Sequence, residues 1–248
     1  MTVEEGGSKA IDEAIVKVAS ELYADLAKPA ARRTGTAIDS LFKVGLSPVA
    51  ILDWGFEKTK DWLKEKIERR LSEVPQEHRC APPNIIAVQT ITMISMCSDS
   101  PAIRELYAEL LLKAMDSRSE HLVHPSFIGL IGQLSPQEAL VFIGLHKMSS
   151  TTLFKEENAF RSSGTTIEVQ FKNYCADFGF KESKQTQLWL ENLQRLKLVV
   201  LLEYSEVQYV DFDINSLSPD VKNETNRYLE LTEYGRMFLE ACKPENAD

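Results

Sequence analysis

The chain has 248 residues, of which 44% are hydrophobic and 26% charged, an ordinary globular composition that excludes disorder as the main state. Net charge is −9, from 28 basic against 37 acidic residues. A protein that coats nucleic acid by neutralising phosphates does not fit that balance.

In chain order, the first apolar spacing is Ile11, Ile15, Val18, Leu22 and Leu26. Steps of three and four mark one face of a helix, which Pro29 ends or bends. A second stretch, 30–44, carries Ile38, Leu41 and Phe42, and Gly45 and Pro48 break it. The run Thr36 to Phe56 leans apolar but contains Asp39, Lys43 and Asp53. A spanning helix needs about 20 mostly apolar residues, so no transmembrane segment is predicted. The acidic start, MTVEEGGSKAIDEAI, lacks the apolar core of a signal peptide.

A long helix is predicted from Pro48 to about Val74, with Leu63, Ile67 and Leu71 on its apolar face. The other face, including Lys60, Asp61, Lys64, Lys66 and Arg70, reads as solvated. Pro75 closes this helix and Pro82-Pro83 lies in a loop. A buried helix is expected over Ile85 to Met96. Another starts at Ser100-Pro101, with serine at the N-cap and proline in the first turn, and ends near Asp116. In LSPQE, Ser135 and Glu138 have the spacing of a capping box, in which each side chain satisfies the other's free backbone N–H.

Beyond residue 150 the texture changes. Residues 149–152 and 161–166 are loop-like. A helix is predicted over Ile167 to Phe178, stopped by Gly179, and the next is capped by Ser183 and bears Leu188, Trp189, Leu190 and Leu193. Leu198 to Tyr204, followed by the alternating Val207, Tyr209 and Val210, and Tyr228 to Leu231 read as strands joined by a long polar loop, DFDINSLSPDVKNET. Thr232 is an N-cap for a last helix. Helix, helix, hairpin, helix is the order of a winged-helix module. The expected fold is therefore mainly α, with an N-terminal helical bundle over 1–132 and a winged-helix-like α+β region over 133–248, the boundary falling between 125 and 150.

The segment Lys181 to Lys197 carries Lys181, Lys184, Arg195 and Lys197 against Glu182 and Glu191. These four basic residues are the candidates for binding a partner or nucleic acid. The hairpin, Val199 to Glu230, has seven acidic residues against two basic ones, and that charge would repel a phosphate backbone. DNA binding is disfavoured on this ground, and protein binding is the preferred use.

No catalytic motif is present, so no enzyme activity and no cofactor are expected. His121 and His124 are the one metal-ligand candidate. Two imidazoles at i and i+3 can share a metal on one helix face, but Pro125 follows and no third histidine or cysteine lies nearby. A helix C-terminus, where histidine meets the last free carbonyls, is the better reading. Cys80, Cys97, Cys175 and Cys242 form no CxxC pair and read as free thiols in a reducing, cytoplasmic setting.

Four strings complete the reading: AKPAARRTGTAIDSLFKVGLSPVAILDWGFEKTKDWLKEKIERRL, PPNIIAVQTI, RELYAELLLKAMD and HLVHPSFIGLIGQLSPQEALVF. Their order and spacing, with the closing LTEYGRMFLEAC, resemble the abortive infection alpha (Abi-alpha) family of bacteria, over roughly residues 20 to 240. The resemblance implies a role in phage defence, in which an infected cell stops growing or dies before phage release. It supplies no catalytic residues. The expected mode is binding to an unidentified protein partner, phage-derived ones included, with self-association possible on the helical surfaces. The alternatives are a winged-helix DNA-binding regulator and a membrane-surface effector using Ala37 to Phe56 with Trp54 and Trp62.

Overall fold

The computed structural model describes residues 53–148, 152–157, 165–213 and 218–244. The helices predicted over 11–26 and 30–44, and most of the Thr36–Phe56 run, lie outside the described residues. No helix of the described residues is long and apolar enough to cross a membrane. The chain divides into two compact units, one reaching Ala139 and including the segment from Glu240, the other Leu140–Leu239.

The first unit is helical. It contains α1 (Asp53–Glu73), α2 (Asn84–Met96), α3 (Pro101–Lys113) and a short α4 (Ser126–Ile131). Helix α2 is apolar nearly all round. It is buried through Ile86, Ala87, Thr90, Ile91 and Ile94, and packs against α1 and α3. Helix α3 buries an unbroken run from Leu106 to Leu112, so it forms the centre of this unit's core. Its Tyr107 is fully buried and donates its hydroxyl hydrogen to Ile128 O at 3.1 Å. That bond keeps a phenol that burial would otherwise penalise. Ser100 and Pro101 stand at the predicted helix start, but the Ser100 side chain makes no capping bond. Helix α4 was not foreseen.

One expectation for α1 is overturned. Leu63, Ile67 and Leu71 are buried as predicted, but so is Lys66 of the supposedly solvated face. Its ammonium bonds to both Glu105 and Glu109 of α3, the latter at 2.7 Å. A helix that lies on another along a wide stripe covers the residue between two core positions, and a charge caught there needs a partner.

Helix α5 (Pro136–Gly144) opens with the predicted capping box. Ser135 N donates to Glu138 Oε2 at 2.7 Å, and Glu138 N to Ser135 Oγ at 3.2 Å. The second unit then runs β1 (Thr152–Glu156), α6 (Ile167–Asp177), α7 (Ser183–Arg195), β2 (Val199–Asp213), β3 (Ser218–Leu231) and α8 (Glu233–Cys242). The strands form an antiparallel sheet in the order β1-β3-β2. Strand β1 was not predicted; five residues give too short a pattern, and its partner β3 lies some 70 residues on. The polar loop is also shorter than expected, because pairing continues out to Asp213 and Ser218. The structure therefore places mainly helical elements first and an α+β region after them.

Local signals set the boundaries of α6. Thr166 Oγ1 accepts from Val169 N at 3.3 Å at its start. At its end Gly179 takes φ +86°, and Phe180 N bonds back to Cys175 O at 3.1 Å, the paired closure that a left-handed residue allows. The core of this unit gathers Phe171 and Cys175 of α6, Trp189 and Leu193 of α7, Leu229 of β3 and Phe238 of α8, all buried. Glu156 of β1 is also buried. It accepts from Arg227 Nη1 at 3.0 Å and from Ile167 N at 3.2 Å, tying β1 to β3 and to the start of α6.

Candidate partner-binding surface

Helix α7 buries Thr186, Trp189, Leu190 and Leu193, spaced at three, four and seven residues from the first. That stripe fixes which side chains face outward. Lys184, Gln185, Gln187, Glu191 and Arg195 are exposed, and among them stands Leu188 at 61% exposure. Leu188, one of the apolar residues expected on this helix, lies outside the buried stripe. Lys181 and Lys197, which flank the helix, are exposed as well. Predicted site residues Lys184 and Arg195 thus share one outward face. Arg195 bonds to Asn192 Oδ1 through Nε and Nη2 at 3.1 and 2.7 Å, which holds its guanidinium along the helix. Ser183 is the first helical residue, with Glu182 at the N-cap and no side-chain cap.

Lys197 has a second task. It adopts φ +59°, and Leu198 N bonds to Leu193 O at 3.0 Å while Lys197 N bonds to Gln194 O at 2.9 Å. This is a left-handed helix stop built on a residue with a Cβ. Lys197→Gly is expected to raise the unit's stability by about 0.5–1 kcal/mol, the strain relief exceeding the added chain entropy. Urea melts of the variant check this. A drop in stability instead would mean that the lysine stem contributes more by packing than the strained backbone loses.

The histidine pair does not sit at a helix C-terminus, as had been expected. His121 lies in a 3-10 turn, Glu120–Leu122, and His124 stands just before α4. There Ser126 N donates to His124 Nδ1 at 3.2 Å, with Ser126 Oγ 2.7 Å from the same nitrogen. His124 is thus used as a local helix-start acceptor. Among the described residues no group of three His, Cys, Asp or Glu side chains converges as a metal site.

Cys80 is poorly suited to nucleophilic work. Burial, then the neighbouring Glu120 carboxylate, pushes its thiol up to about 11, so little thiolate exists near neutral pH. Cys175 is pushed to about 12 by burial. All four cysteines are unpaired with one another. Nearby, Arg118 grips Asp116 through Nε–Oδ1 at 2.9 Å and Nη2–Oδ2 at 2.6 Å and holds that carboxyl down at about 2. This fork bonds residues two apart and fastens the turn after α3.

In the first unit a cavity of about 190 Å³ opens beside Lys66, Arg69, Arg70, Glu73, Glu105 and Glu109. Three cations and three carboxylates balance, so it offers no single-sign field to a charged ligand. Trp62 lies close to this cluster, with the Arg104 guanidinium 4.3 Å from its ring centroid, a cation–π distance.

The family model for abortive infection alpha matches residues 55–242. The chain belongs to the abortive infection alpha family. The match starts later than the similar strings implied, at α1, and covers both units to the end of α8. No curated protein and no solved structure matches the chain. Membership in the abortive infection alpha family supports an anti-phage role; the outward face of α7 is the part of the surface that the sequence and the geometry single out together.

Proposed function

We propose that this protein is a phage-defence protein that acts by binding a protein partner, with the outward face of α7 as the docking surface. Family membership over residues 55–242 carries the defence part. An exposed leucine ringed by polar and charged residues supports the docking part, since a large apolar side chain amid a polar rim is how protein interfaces are built. The test is phage challenge of cultures carrying the gene, at low and at high phage-to-cell ratio. Survival at low ratio with collapse at high ratio is expected for abortive infection. No protection against a broad phage panel would overturn the reading, and nucleotide turnover or nucleic-acid cleavage by purified protein would overturn its binding-only form.

A second reading, DNA binding by a winged-helix module, is favoured by one observation. Lys181, Lys184, Arg195 and Lys197 are all exposed on or beside α7. The acidic hairpin opposes it. A gel shift with the gene's own upstream DNA separates the two. A salt-sensitive shift lost in Lys184→Glu/Arg195→Glu would promote this reading; no shift removes it.

A further inference from the structure

Helix α2 carries no charged residue and is apolar nearly all round. A helix of that composition belongs inside a protein. Here one side is open. Ile85 and Met96 are each 53% exposed, Gln89 between them is exposed, and Val88, Thr92 and Met93 are half-buried. Ile85, Gln89, Thr92 and Met96, spaced four, three and four, run in one stripe along the whole helix. At about 1.5 Å of rise per residue this stripe is about 17 Å long. Among the described residues, α1, α3 and α4 pack against α2 and leave the stripe open.

The sequence holds a segment of matching form. Ile11, Ile15, Val18, Leu22 and Leu26, spaced four, three, four and four, predict a helix with one apolar face, and Glu13 and Lys17 fall away from that face. Such a face is about 22 Å long at the same rise, enough to cover the stripe of α2. The other predicted N-terminal helix, over 30–44, groups Ile38, Leu41 and Phe42 within about 6 Å, too short a face to do so. An isolated helix of the first segment's length is marginal in water, so the segment needs a surface as much as α2 needs a cover. Residues 27–52 lie between it and α1. At up to about 3.3 Å per residue, that connection is long enough to return the segment to α2.

We propose that residues 11–26 dock as a helix on the open stripe of α2 within the same chain, apolar face to apolar face. The covalent tie to α1 selects this occupant. It holds the segment near α2 at an effective concentration on the order of a millimolar, far above that of a second copy. The stripe itself is uncharged, so it gives a charged partner nothing to recognise. Ile85 and Met96 gain apolar neighbours, and the charged side of the segment stays in water. The contact is independent of the reading of α7 as a docking face.

Hydrogen exchange of the full chain, read peptide by peptide at about 1 µM and about 50 µM, tests this. The amides of 11–26 are expected to exchange at least about tenfold more slowly than unstructured chain, equally at both concentrations. Ile15→Gln/Leu22→Gln and Ile85→Gln/Met96→Gln are each expected to bring that exchange back to within a few-fold of the unstructured rate, because each pair removes two of the apolar side chains in the contact. The α2 pair decides, since it leaves the segment's own sequence unchanged and alters only half-exposed positions. Protection of the α3 amides, retained in both variants, shows that the helical unit still folds. Three results each overturn the proposal: exchange of 11–26 at the unstructured rate in the wild type, protection that the α2 pair leaves intact, and protection present only at the higher concentration, as a second copy would give.

Discussion

Replacing Gly235 with alanine is expected to destabilise the C-terminal unit by about 2 kcal/mol, although the site is inside a helix, where alanine is normally the better residue. Thr232 explains why. Its N–H donates to Leu198 O at 3.1 Å, and its hydroxyl donates to Lys197 O at 2.5 Å while accepting from Gly235 N at 2.8 Å. These bonds fasten the first turn of α8 against the end of the α7–β2 connection. A Cβ on Gly235 would lie 2.1 Å from Leu198 O and 2.9 Å from its carbonyl carbon. Both are backbone atoms, so no rotamer change relieves the overlap. Overpacking of this kind costs about 3 kcal/mol, and the gain in helix propensity returns about 1. Thermal and urea melts read the difference. Gly129 of α4 is the control, since nothing lies within 4 Å of its added Cβ; Gly129→Ala is expected to be neutral or to stabilise by about 0.5–1 kcal/mol. Equal behaviour of the two variants would refute the close approach at Leu198.

The same contrast shows what was legible in the sequence. Devices closed within a few residues were readable. The Ser135–Glu138 box, the Thr232 cap and the Gly179 stop all stand where local chemistry put them. Features fixed by distant partners were not. Strand β1 exists because β3 pairs with it, and Gly235 matters because Leu198 lies against it. Leu188 and Lys66 are opposite failures of one rule. Hydropathy placed the leucine with the core and the lysine with solvent, yet rotation of each helix about its axis, set by its neighbours, exposed the first and buried the second. At the candidate surface, the basic residues were readable from charge alone. The exposed leucine among them required the helix orientation.

Lys66→Met is expected to destabilise the helical unit by about 3–5 kcal/mol, the usual loss when one member of a buried ion pair is removed. The lysine is only 8% exposed at its side chain, and Glu109 only 4%. Glu109 Oε2 already has no hydrogen-bond partner, so the Lys66 bond at 2.7 Å is a main support of that carboxylate. Methionine keeps most of the aliphatic stem but removes the ammonium shared with Glu105. The Glu109 carboxylate is then left buried without its cation. Adding Glu109→Leu to Lys66→Met removes the stranded charge and is expected to recover most of the loss, because a packed apolar pair is often as stable as a buried ionic one. Urea melts of the single and double variants check both expectations. A single variant with unchanged stability would show that Glu109 meets water or another cation in solution. A double variant no better than the single one would locate the loss in packing around Trp62 and Leu63, and the charge argument would fall.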